Sequence, residues 1–295
     1  MSEALYLQAN NLAVGFGSTP VVEDVAFRCE PGTITAIVGT NGAGKTTVLR
    51  ALAGIHPMLA GQVTLGQAQH GAVGGGDDAE ASQPPRWDVA TMGVKQRAKK
   101  IAMVSQEGQL AEDLTVREIV TLGRLPHTTP WEFSAKKHQG VVDKAIATCE
   151  LEAHADTPCG ALSGGMRKRA MIARGFAQET PVLILDEPTN HLDIYHQLNL
   201  LELLAASGKT VVITLHDLDL AIGYADQVVV LEKQGNLGRQ VLCDAPVTAL
   251  QDPLLHQTFG VRGYVAQAND ARLDAPLQRA HLLLEKPRKE DHETY

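Results

Sequence analysis

The chain lacks any run of about 18 apolar residues, the length a membrane-crossing helix needs. It also lacks the basic start and apolar core of a secretion signal, opening instead with MSEALYLQAN. Together these absences lead us to expect a soluble, cytoplasmic chain. Net positive charge is missing as well: the formal charge is -8. That balance speaks against broad binding to a DNA or RNA backbone, so no nucleic-acid partner is expected. Cysteine is scarce. Cys29, Cys149, Cys159 and Cys243 are the four, and no two stand in C-x-x-C spacing. A structural zinc site is therefore not expected, and reduced thiols are the default.

What is present is organised around residues 39–47, GTNGAGKTT. The string fits G-x-x-x-x-G-K-[ST], with Gly39, Gly44, Lys45 and Thr46 on the fixed positions. An apolar strand (Ile34, Ala36, Ile37, Val38) precedes it and a helix-forming run (residues 48–53) follows. In that setting the loop's N–H groups point inward and cradle a phosphate chain, and the helix dipole adds to the attraction. Lys45 would reach the terminal phosphates, and the Thr46 hydroxyl would help hold Mg²⁺.

With 295 residues, 44% of them hydrophobic, the chain can bury a sizeable core in one large domain or two small ones. Residues 3–38 read as short β segments divided by turns, with an exposed aromatic, Phe16, in the loop 15–18. Residues 66–88, rich in Gly, Asp, Pro and Ala, read as a flexible surface insertion. A strand at 101–106 ends in Gln106. Helical spacing follows at 115–124, with Thr115 as cap, and again at 135–155. The stretch 107–180 thus reads as a helical subdomain inserted in an α/β core, which comprises 1–106 and 181–245. Strands at 182–185, 210–215 and 227–232 alternate with helices at 194–206 and 217–224, implying parallel pairing. Beyond 245 the signals weaken into a C-terminal extension and a charged tail, 246–295.

Two further motifs bear on chemistry. Asp186 closes the apolar strand 182–185 and Glu187 comes next. The first acid can hold Mg²⁺ opposite Thr46, and the second can take a proton from an attacking water. LSGGMRKRA, residues 162–170, opens a helix at Ser163 with Gly164 and Gly165 behind it. That start is free of bulky side chains, making a second anion site in one chain.

At this point the sequence resembles the ATP-binding cassette (ABC) ATPases over most of residues 5–245. GTNGAGKTT looks like Walker A, VLILDE like Walker B, and LSGGM (Leu162, Ser163, Gly164, Gly165, Met166) like the signature motif. Gln106 looks like the Q-loop glutamine, Asp193 in NHLD like the D-loop aspartate and His216 like the switch histidine. Phe16 stands where the family stacks an aromatic on adenine. The resemblance implies an α/β P-loop NTPase of the ABC-ATPase fold: a RecA-like core, an antiparallel β subdomain and an inserted helical subdomain. It also implies Mg²⁺ and ATP hydrolysis. Thr40, Asn41, Gly42, Ala43 and Thr47 complete the ATP-binding loop, and Lys45, Gln106, Glu187 and His216 form the catalytic set. Thr46, Gln106 and Asp186 would meet the metal. A second copy would close a head-to-tail dimer, each ATP held by Walker A of one chain and the signature of the other. Two departures stand out. Met166 replaces the usual Gln, and Phe16 replaces the more frequent Tyr, losing only a hydroxyl.

A lone cassette without membrane spans resembles bacterial importer subunits, which sit on the cytoplasmic face of the membrane beneath separate permeases. Residues 114–131, 187–204 and 214–235 resemble the iron-complex class: ferric siderophore, haem and cobalamin importers. A ferric siderophore is the expected cargo, delivered by a substrate-binding protein. Alternatives are a cassette for another transporter, whether metal-ion importer or exporter, and a soluble regulatory ATPase.

Overall fold

The computed structural model describes residues 4–67, 85–105, 111–128, 135–267 and 280–285. Gln106 and residues 68–84 lie outside them. Ten strands form one mixed sheet: β1 (Leu5–Phe16), β2 (Thr19–Cys29), β3 (Ile34–Gly39), β4 (Met58–Gln67), β5 (Arg86–Asp88), β6 (Ile101–Val104), β7 (Val182–Leu185), β8 (Thr210–Thr214), β9 (Gln227–Gln234) and β10 (Leu237–Asp244). The spatial order is β5-β4-β1-β2-β10-β9-β3-β8-β7-β6. From β9 to β6 all neighbours run parallel. The strands β1, β2, β4 and β5 pair antiparallel. The two parts join at a short parallel contact, Gly238 beside Val22 and Arg239 beside Glu23.

The parallel strands are buried on both faces, so their residues alternate between two cores rather than between core and water. In β3, Ile34, Ala36 and Val38 face one core, while Ile37 faces the other. The second core is shared with helix α1 (Lys45–Leu52), whose Val48, Leu49 and Leu52 are fully buried against the antiparallel strands.

The remaining α-helices are α2 (Val94–Ala98), α3 (Val116–Leu122), α4 (Ala135–Thr148), α5 (Gly164–Ala177), α6 (Ile194–Ala206), α7 (Leu218–Tyr224) and two short ones, Pro246–Ala249 and Asp252–Leu254. Thr115 caps α3 in a reciprocal box with Glu118. Helices α3, α4 and α5 pack on one another and fall between β6 and β7, which are themselves adjacent. The C-terminal end of α5 is tied to the sheet. Gln178 donates to the carbonyls of Ala98 (2.6 Å) and Ile101 (3.0 Å). Buried Arg124 donates to the Ala177 carbonyl and pairs with Glu179 at 2.8 Å.

Several sequence expectations change. The groups around 5–7 and 12–14 belong to one strand, β1. Asn11, with φ 44°, marks a register shift rather than a turn. The ends of the 66–88 stretch are strand: β4 runs to Gln67, and β5 pairs with it. Strand β6 stops at Val104, and α4 stops at Thr148. Beyond 245 lies a small second sheet, β11 (Arg262–Gln267) with β12 (Ala280–Glu285). It is clasped to α7 where Leu282 N–H donates to Asp219 at 2.7 Å.

Candidate active site

The loop 40–44 connects the central strand β3 to α1 through three left-handed or strongly positive φ values: Gly39 at 152°, Gly42 at 78° and Gly44 at 86°. At Gly39 a side chain is excluded outright, since a Cβ would stand 2.0 Å from the Leu231 carbonyl oxygen. The loop must hug β9, and only glycine permits it. Gly44 occupies the N-cap of α1 with no side-chain cap, leaving the first helical N–H groups available to an anion.

Lys45 curls back over this loop. Its ammonium donates to the carbonyls of Gly39 (2.9 Å) and Thr40 (3.2 Å). Burial pushes its pKa down, and the nearby Glu187 and Asp186 carboxylates push it back up. Thr46 and Thr47 follow on α1, partly exposed.

The acids come from β7, two strands away in the sheet. Asp186 is 1% exposed. Its Oδ1 accepts from the Thr214 hydroxyl at 2.9 Å, while its Oδ2 has no partner among the described residues. A buried carboxylate oxygen without a donor is costly unless a cation meets it. The donor set therefore fits a hard divalent ion, with the Thr46 hydroxyl on the neighbouring helix start. Among the described residues no cluster of three or more His, Cys, Asp or Glu side chains forms a metal cage. Asp186 and Thr46 would suit a Mg²⁺ ion that drew its remaining ligands from phosphate and water.

Glu187 sits at φ 46°, a conformation worth attention in a non-glycine residue. Its surroundings hold it there. Its N–H donates to the Thr214 hydroxyl oxygen at 2.7 Å. Asn190 Nδ2 donates to Oε2 at 2.6 Å, and His216 Nε2 donates to Oε1 at 2.5 Å. Thr214 thus braces both acids with one hydroxyl. Lys168 reaches in from α5, its ammonium 3.4 Å from the Asp186 carbonyl. Burial lowers the Lys168 pKa, against a smaller upward pull from Asp186 and Glu187.

Other expected site residues lie apart. Ser163 caps α5, its hydroxyl accepting from Met166 N–H at 3.3 Å, and both Ser163 and Gly164 are exposed. Gly165 backs onto His191 and Leu192. The Met166 side chain packs against the apolar core, as buried Leu162 does, so it extends that core where a glutamine would offer hydrogen bonds. Asp193 caps α6, accepting from His196 N–H at 3.0 Å. Phe16 ends β1 and is 62% exposed. Gln106 lies outside the described residues.

A family model for ABC transporters matches residues 22–190 of this fold. The chain belongs to the ABC transporter family. The cassette is 36% identical over 264 residues to the hemin import ATP-binding protein of Rhodococcus jostii, covering 88% of this chain and 81% of that one. It is 34% identical over 260 residues to the ferric enterobactin transport ATP-binding protein of Escherichia coli, covering 87% and 88%. Among solved structures it matches a metal-chelate type ABC transporter in an inward-facing conformation. The TM-score is 0.73 at 24% identity, over 96% of this chain and 98% of that one, a likeness of fold. The cassette is an ATP-hydrolysing, ATP-binding protein of that family.

Sequence reasoning passed over Thr214, Asn190 and Lys168. Thr214 offered one signal: a polar residue closing the buried strand TVVIT, whose register sets Ile213 beside Leu185 and hence Thr214 beside Asp186. Thr214→Val keeps the shape and removes both bonds. Each is worth about 1 kcal/mol, so with both lost at the barrier the cassette's ATP hydrolysis is expected to slow about thirtyfold. Phosphate release by the purified chain measures it, and an unchanged rate would remove Thr214 from the site.

Proposed function

We propose that this cassette is the ATP-hydrolysing subunit of a bacterial importer of an iron complex, most directly a ferric siderophore. It works as a pair at the cytoplasmic face of the membrane, beneath separate permease subunits fed by a substrate-binding protein. The observation that carries this reading is near-full-length identity to two relatives whose names specify import or transport of iron compounds. In the described residues no helix is long and apolar enough to cross a membrane.

The reading assigns roles as follows. Lys45 and the amides of 41–47 neutralise charge on the phosphates. Thr46 and Asp186, together with Gln106, would hold Mg²⁺, which supplies further charge neutralisation at the phosphate oxygens when bound. Glu187 accepts the proton of the attacking water, His216 reaches the γ-phosphate, and Phe16 stacks on adenine. Ser163 and Gly165 contact the ATP of the opposing copy. The exposure of Ser163 at the free end of α5 suits contact with another chain, and Asp193 is exposed as well.

Uptake of labelled ferric siderophore, haem and cobalamin by a strain deleted for this chain tests the assignment. Siderophore uptake is expected to vanish and to return with the wild-type chain. Loss of haem or cobalamin uptake alone would move the cargo, and unchanged uptake of all three would refute iron-complex import.

A further inference from the structure

We propose that His56 is a positioning residue for nucleotide binding: it holds the Phe16 ring in place to receive the purine base of a nucleoside triphosphate. The proposal rests on the reading of Phe16 as the base platform.

Two contacts carry it. The rings of His56 and Phe16 meet edge to face, with centroids 5.0 Å apart and planes inclined by 69°. His56 Nε2 also lies 2.7 Å from the Gly15 carbonyl oxygen. A carbonyl only accepts, so Nε2 carries the hydrogen whether the ring is neutral or charged. The imidazole thus grips the backbone immediately before Phe16 and its ring at once. Gly15 is held in the β1–β2 register opposite Pro20, so close to that strand that a Cβ would stand 2.0 Å from the Thr19 carbonyl oxygen. Without such support, an aromatic ring 62% exposed at a hairpin turn changes rotamer freely. Ordering it would then fall on the binding step.

His56 is itself anchored. Gly54, at φ 66°, turns the chain out of α1, and the N–H groups of Ile55 and His56 both donate to the Arg50 carbonyl, at 2.8 and 3.1 Å. The helix that begins at the phosphate loop therefore ends at the support of the base platform. Its eight residues span about 12 Å. One short rigid element sets the separation between the phosphate and base contacts.

The test uses the purified full chain with ATP and inorganic tripolyphosphate as probes. In His56→Ala, KM and Kd for ATP are expected to rise about fivefold, the worth of an aromatic pair and a preordered ring. Turnover at saturation and tripolyphosphate affinity should stay unchanged. His56→Gln keeps a donor for the Gly15 carbonyl without the ring, and should fall between wild type and His56→Ala. In a Phe16→Ala background, His56→Ala should add nothing. If Phe16→Ala weakens ATP binding and His56→Ala does not, the proposal is overturned. It is overturned equally if His56→Ala weakens ATP alike with and without Phe16, or weakens tripolyphosphate as well. If Phe16→Ala itself leaves ATP affinity intact, the platform reading fails first, and that result is distinct from the others.

Discussion

Glu187→Gln is expected to leave ATP affinity within about twofold of wild type while slowing hydrolysis by about 10²–10⁴-fold, the range for loss of a general base. The structure explains why the two effects separate. On the proposed assignment ATP meets the loop between β3 and α1, whereas Glu187 follows β7. A glutamine matches the glutamate in size, and its carbonyl oxygen can still accept from Asn190, now 2.6 Å from Oε2. The amide end then faces His216, whose ring can turn that contact round by presenting a bare nitrogen. The backbone at φ 46° remains braced by Thr214. What disappears is the capacity to take a proton. Steady-state phosphate release and equilibrium nucleotide binding on the same preparation give the two readings. Near wild-type turnover would remove Glu187 from the role of base.

Ser163→Arg is expected to abolish ATP-driven pairing of two copies while each copy still binds nucleotide. Ser163 and Gly164 are exposed at the start of α5, and nothing lies within 4 Å of a Cβ placed on Gly164. An arginine there would fill the space a second chain must enter. Losing the cap costs about 1 kcal/mol of helix stability, and Ser163→Ala, which loses the cap and the hydroxyl but adds no bulk, separates those losses from the steric block. In a Glu187→Gln background, where ATP persists, sedimentation should show the dimer population falling by tenfold or more, about 1.4 kcal/mol or beyond. Equal dimer formation by the arginine variant would show that the α5 start does not meet a partner.

How far the sequence could foretell all this depended on what each segment interacts with. Strands β3, β7 and β8 are apolar runs bounded by turn residues, and burial on both faces writes itself into composition. The phosphate loop and the Asp186–Glu187 pair were readable because they stand at the ends of such runs. Asn10 and Asn11 misled, since paired asparagines signal a turn and here they occupy a register shift within β1. Strand β5 could not be read locally. Arg86, Trp87 and Asp88 become a strand only because the edge of β4 offers Gly66, Leu65 and Thr64 as partners. The β11–β12 pair likewise depends on Asp219, far off in the chain. His56 matters through a contact to Gly15 that no local pattern encodes.

The ties at Gln178 set up a mechanical advantage. They fasten one end of α5 to the end of α2 and the start of β6 by two short hydrogen bonds, 2.6 and 3.0 Å. Near the other end the corresponding tie, Lys168 to the Asp186 carbonyl, is 3.4 Å long and weak. The helix is 14 residues, a rod of about 21 Å. Pivoted at Gln178, it needs a tilt of only about 5° to carry Ser163 through about 2 Å over that rod length. A displacement of that size separates a formed hydrogen bond from a broken one. If the α5 start meets a partner's nucleotide as proposed, contact could form or break with angular changes too small to disturb the core beneath it.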